Sequence, residues 1–114
     1  MALYMVMVAD EDDMDRFIMP VSEDLAWMAT IAREAGTHIF GFQDKEQHLM
    51  MLKTLNMYHE KMTGPDGDAF YFSGPNPGLE AGKPAGMNMA DYVYGRVSQY
   101  AVRYGVRVIN PATI

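Results

Sequence analysis

The sequence predicts an α+β (or α/β) fold: a single small domain, residues 1–114, with about four strands covered by three main helices. Three observations carry that prediction. Apolar runs of strand length alternate with segments of helical period, good N-cap residues precede the helical segments, and glycines follow them. A chain of 114 residues, 49% of them hydrophobic and 21% charged, supports one core without metal or disulfide staples but not two.

The first element is "LYMVMVA", residues 3–9, whose nearly continuous apolar character suits a central strand buried on both faces. "DDMDRFIM" then sets Met14, Phe17 and Ile18 at helical spacing, which predicts a short helix closed by Pro20. Ser22 is the expected N-cap of the next helix. Glu23 and Asp24 suit the positive end of its dipole, Leu25, Met28, Ile31, Ala32 and Ala35 form its apolar face, and Gly36 ends it.

"THIFGF", residues 37–42, predicts a strand with His38, Phe40 and Phe42 on one side. Asp44, with Gln47 three residues on, predicts a capped long helix running to Met62 and stopped by Gly64 and Pro65. Its apolar residues cover most of the circumference, which implies burial against more than one neighbour, with a second subunit as one candidate. "PDGD" is a turn signal and "AFYFS", residues 69–73, an aromatic strand.

The Gly/Pro-rich loop "GPNPGLEAGKPAG" occupies residues 74–86. After it, Asn88 caps a helix through about Tyr104, with Asp91 in its first turn and Gly105 at its end, and "VRVI" closes the order β-(α)-α-β-α-β-loop-α-β.

Composition excludes several functions. With no cysteine there is no disulfide framework, thiolate nucleophile or cysteine zinc site, which fits a reducing compartment. No apolar stretch approaches the roughly 18 to 20 residues that span a bilayer, and acids stand where a signal peptide needs small residues, so a cytoplasmic location is expected. The net charge of -6 is uneven: residues 1–24 carry seven acids against Arg16, whereas residues 83–114 carry four basic residues against Asp91. An acidic chain without a basic run disfavours direct nucleic-acid binding and favours a larger protein partner with a basic surface.

The loop is not a phosphate cradle. Gly78 and Gly82 have three residues between them where a P-loop has four, and Lys83 is followed by Pro84, which supplies neither hydroxyl nor N–H. The cluster Asp10, Glu11, Asp12 and Asp13 lacks the glycine and glutamate of a calcium loop, and its neighbours alternate in direction along an extended chain. "YMVMVADEDDMDRFI" resembles the opening of a response-regulator receiver domain, but "LMMLKTLNMYHEK" lacks the aspartate a receiver phosphorylates, which excludes that family. No histidine pair has metal-ligand spacing, and neither a catalytic residue nor a cofactor is expected.

The candidate contact residues are Asp10, Glu11, Asp12 and Asp13 on the acidic segment, Gly78 and Lys83 in the loop, and Tyr92, Tyr94, Arg96 and Arg103 on the last helix, where Tyr and Arg suit an interface. The expected function is therefore a small acidic, Met-rich, non-enzymatic interaction protein that binds or inhibits a larger partner. One concrete form is an accessory inhibitor of a nucleic-acid-handling complex carried by a mobile element. The alternatives are a small metal-dependent enzyme using Asp10 to Asp13, with His38 or His59 as acid–base groups, and a structural homo-oligomer joined through residues 49–62.

Overall fold

Alternation along the first strand decides the layering. In the computed structural model, which describes residues 1–63 and 69–114, β1 (Leu3–Val6) continues as β2 (Val8–Ala9) and folds back as β3 (Phe17–Ser22). Met5 and Met7 join Met19, Val21, Phe40 and Phe42 in the larger core, while Val6 packs with Met28, Ala29, Ala32, Ile39 and Ile109 in a second one. Burial on both faces explains why the segment reads as an unbroken apolar run.

The register is the same on either side of the β1/β2 break: Met5 faces Val21 and Val8 faces Ile18. Pro20 therefore stands opposite Val6, and with no N–H to donate it interrupts the ladder there. This overturns the short helix expected over "DDMDRFIM": Pro20 lies inside a strand, and strand pairing prevails over a three-residue helical spacing.

The helix α1 (Leu25–Ala35) follows, but its cap is Asp24, whose side chain accepts from the Trp27 N–H at 3.0 Å. Ser22 accepts from the Asp24 N–H at 3.0 Å and supports the cap from two residues earlier. Gly36 ends the helix in the left-handed conformation at φ 68°.

Strand β4 (Ile39–Phe42) lies antiparallel to β1 on the side away from β3, with Leu3 opposite Phe42. Asp44 then caps α2 (Lys45–Thr54) through the Gln47 N–H at 2.8 Å, and the Gln47 side chain reaches back to the Gln43 N–H at 2.7 Å. The expected helix to Met62 is half its predicted length. Asn56 adopts φ 58° and turns the chain, held by Asn76, whose N–H donates to the Asn56 carbonyl at 3.1 Å.

Residues Met57–Thr63 become β5, paired residue for residue with β6 (Ala69–Pro75). A seven-residue ladder outweighs the helix preference of Met and Lys. The stops at Gly64 and Pro65 and the "PDGD" turn lie outside the described residues. With α2 ended at Thr54, the single wide face of residues 49–62 dissolves: Met51, Leu52, Leu55 and Met57 are buried, and Leu49 and Met50 remain exposed.

A 3-10 turn at Leu79–Gly82 and the helix α3 (Met89–Tyr104) lead to β7 (Arg107–Ile109) beside β4. Asn88 caps α3 through the Asp91 N–H at 2.8 Å, and Gly105 ends it at φ 71°. Among the described residues the molecule is thus α+β: three helices and a seven-stranded antiparallel sheet ordered β5-β6-β3-β1-β4-β7, with β2 beside β3. The strands exceed the four expected because two predicted helical segments are strands and the first predicted strand is split into β1 and β2. The faces are covered by α1 on one side and by α2 and α3 on the other. No helix among the described residues is long and apolar enough to cross a membrane.

Candidate functional site

Strands β3 and β4 run parallel on either side of β1, so both end at the same edge of the sheet, and the helices that follow them begin there. Between these two helix N-termini opens a cleft of about 830 Å³. Leu3 and Val21 contribute apolar strand surface, Glu23, Asp24 and Trp27 come from the start of α1, Asp44, Lys45 and Glu46 from the start of α2, and His59 and Tyr71 from the β5/β6 pair.

His59 is positioned by its strand. It stands opposite Ser73, two register steps from the Lys61–Tyr71 pair, and its ring lies flat on Tyr71 with centroids 5.1 Å apart and 7° between planes. Behind it, His48 on α2 presents its edge to His59 at 5.2 Å and to Phe42 at 5.1 Å. His48 is fully buried, at 0% exposure, and both of its ring nitrogens lack a hydrogen-bond partner among the described residues, as does His59 Nδ1. Buried polar atoms are paired in the great majority of cases, so three orphaned imidazole nitrogens in one place stand out.

Their electrostatics follow from burial. Loss of water pushes the His48 imidazole down to about 4, aided by neighbouring His59. His59 is also lowered, first by burial and then by the ammonium of Lys45. Both rings are neutral at pH 7, each with a nitrogen lone pair. His59 also lines a smaller groove with Leu49, Leu52, Lys53, Asn56, Met57 and Asn76, so it forms a partition between two openings.

The residues expected as contact sites lie elsewhere. Asp10, Glu11, Asp12 and Asp13 occupy the exposed tip between β2 and β3, the end of that hairpin opposite the cleft. Asp10 accepts from the Asp12 N–H at 2.9 Å, Asp13 accepts from the Asp15 N–H at 3.1 Å, and Asp13 meets Arg16 at 3.8 Å. Among the described residues no group of three or more histidines and carboxylates is placed to hold a metal ion.

The tip docks on α3: Asp15 accepts from the Met89 N–H at 2.9 Å, and the Met14 carbonyl accepts from the Ala90 N–H at 2.9 Å. The Gly/Pro loop reaches the same helix start. Leu79 is buried in the core, Gly78 takes φ 93°, and Lys83 Nζ donates to the Met87 carbonyl. Gly82 sits so close to Tyr92 that a Cβ there would lie 2.7 Å from the phenol oxygen. That oxygen accepts from Arg96 at 3.3 Å, with the guanidinium 5.8 Å from the Tyr92 ring. The structure thus brings Asp10 to Asp13, Gly78, Lys83, Tyr92 and Arg96 to one end of the molecule.

Two expected residues do not join them as an outward-facing pair. Tyr94 is half-buried and packs edge-on against Phe40 at 5.6 Å, because the Phe40 face of β4 lies under α3. Arg103 lies over Tyr104 at 5.5 Å, near the far end of the helix. His38, expected on one strand face with Phe40 and Phe42, is exposed and lies outside the strand, since β4 begins only at Ile39.

Sequence reasoning missed the cleft because it read His48 and His59 as distant points on one helix. The one local signal was Asn56, a residue type that tolerates the left-handed conformation that ends the helix; "MYHEKMT" itself carries no strand alternation. No protein-family model matches the chain, and no curated protein or solved structure matches it.

Proposed function

We propose that this chain is a small-ligand-binding domain in which His59 receives or shares a proton of the bound molecule. The observation that carries the reading is the His59–Tyr71 stack in the wall of a cleft of about 830 Å³. That volume falls among ligand pockets, and a few convergent polar groups on an apolar and aromatic lining are what such pockets use to orient a guest. A neutral imidazole is the side chain suited to accept a proton near pH 7. A cytoplasmic setting, which the cysteine-free sequence fits, belongs to the same reading.

The test is a fragment screen followed by NMR of the full chain, reading the Trp27 indole, the His59 ring and the Tyr71 ring together. Binding at the cleft moves all three, and His59→Gln removes the pH dependence of affinity while leaving the fold intact. Fragments that bind without moving those signals would move the functional site elsewhere.

A second reading has its own support. The non-enzymatic interaction protein expected from the sequence gains from the convergence of the acidic tip, the Gly/Pro loop and Tyr92/Arg96 at the start of α3, with Arg96 Nε buried and unpartnered among the described residues. A larger protein with a basic surface is the fitting partner, and inhibition by charge competition is one form of it. Reversing the charges of Glu11 and Asp12 abolishes partner capture on this reading; unchanged capture removes the acidic tip from it.

A further inference from the structure

The mouth of the cleft is unequally charged. Glu23, Asp24, Asp44 and Glu46 line it against the ammonium of Lys45 and the amino group of Met1. The N-termini of α1 and α2 add partial positive charge, about half a unit each, but Asp24 and Asp44 cap those ends with full negative charges. The balance is negative, which repels a carboxylate or phosphate and attracts a cation.

The walls specify the rest of the molecule. Trp27 is 45% exposed and Tyr71 39%, large fractions for aromatic side chains that line a concave surface. Aromatic faces attract both flat apolar bodies and cations. The lone pair of a neutral imidazole accepts a hydrogen bond from an ammonium, which a cleft built for anions would not need.

Resting on the ligand-cleft reading above, we infer that the guest is an organic cation: an ammonium group joined by a short linker to an aromatic ring, as in an arylalkylamine. The ammonium sits among the carboxylates at the helix starts, and the ring lies against Trp27 or Tyr71 over Leu3 and Val21.

The experiment titrates the full chain with three probes that share one body: 2-phenylethylamine, 2-phenylethanol and phenylacetate. The amine shifts the Trp27, His59 and Tyr71 signals with a dissociation constant on the order of 0.1–1 mM, at least about ten-fold tighter than the alcohol, and phenylacetate does not bind. Raising salt weakens the amine alone. Glu23→Gln and Glu46→Gln, which remove no helix cap, each weaken it roughly two- to five-fold. Equal or tighter binding of the alcohol or the acid at the same three residues overturns the cation and leaves the cleft standing. If no probe moves those signals, the cleft reading falls with it.

Discussion

The β1–β3 hairpin has two ends that treat their polar groups in opposite ways. At the tip, Asp10 and Asp13 close turns on the backbone two residues ahead, and Asp15 accepts from the start of α3. At the cleft, His48 and His59 hold buried nitrogens with no partner among the described residues. The charged end, which draws the eye in the sequence, uses much of its charge to fold itself. The end made of scattered, ordinary residues retains unsatisfied bonding capacity, and one of the two rings that hold it, His59, also lines the cavity where a ligand would lie.

The largest effect expected from this contrast is a dependence of stability on pH that belongs to the cleft end alone. His48 titrates near 4 when folded and near 6.5 when unfolded. Between those values the unfolded chain holds more protons, so stability rises with pH across the window, is complete above 6.5, and is lost as pH falls toward 4. The full shift corresponds to about 3 kcal/mol. His59, lowered as well, acts in the same direction. Urea unfolding at pH 4.5, 5.5 and 7.5 measures it, and His48→Leu, which replaces unpaired buried nitrogens with an apolar side chain, flattens the profile without a large loss at pH 7.5. An unchanged slope in the variant would falsify His48 as its source.

Two glycines sharpen the comparison with a smaller effect. A Cβ on Gly74, in β6, would meet the Tyr58 hydroxyl oxygen at 2.8 Å and two of its ring carbons at 3.0 and 3.2 Å, so the phenol lies across the strand. A Cβ on Gly82 would meet only the tip of Tyr92, at 2.7 Å, with its next atom at 3.8 Å. Gly74→Ala costs about 1–2 kcal/mol because a ring must leave its place on the sheet, whereas Gly82→Ala costs under about 0.5 kcal/mol because a phenol tip swings aside. Thermal unfolding of both variants checks the order. A reversed order would make the 3-10 turn at Leu79–Gly82 more tightly determined than the end of β6.

What was legible in the sequence follows the same division between local and distant causes. Asp44, Asn88, Gly36 and Gly105 mark helix ends by chemistry within four residues, and each sits where expected. The α+β class was legible for the same reason. The strand character of Phe17–Ser22 and Met57–Thr63 was not, because each is fixed by a partner: β1 and β6 for the first, the β6 ladder for the second. The candidate site was lost with it. Only when β5 folds back does His59 come to lie between His48 and Tyr71, residues 11 and 12 positions away on either side.

The finest distinction lies within the acidic tip. Asp15 ties the hairpin to α3 through the Met89 N–H, an unpaired donor of the helix's first turn, so Asp15→Ala costs about 1 kcal/mol and speeds hydrogen exchange at Met89. The side chain of Asp12, three residues earlier, makes no hydrogen bond or ion pair among the described residues, and Asp12→Ala stays within about 0.5 kcal/mol of the parent. Urea midpoints of the two variants, measured side by side at pH 7.5, separate a carboxylate that builds the fold from one that is free to meet a partner. If Asp12→Ala is as costly as Asp15→Ala, the whole tip is committed to folding. The interaction reading then rests on the Gly/Pro loop and Arg96 alone, while the cleft, at the other end of the hairpin, is untouched by that outcome.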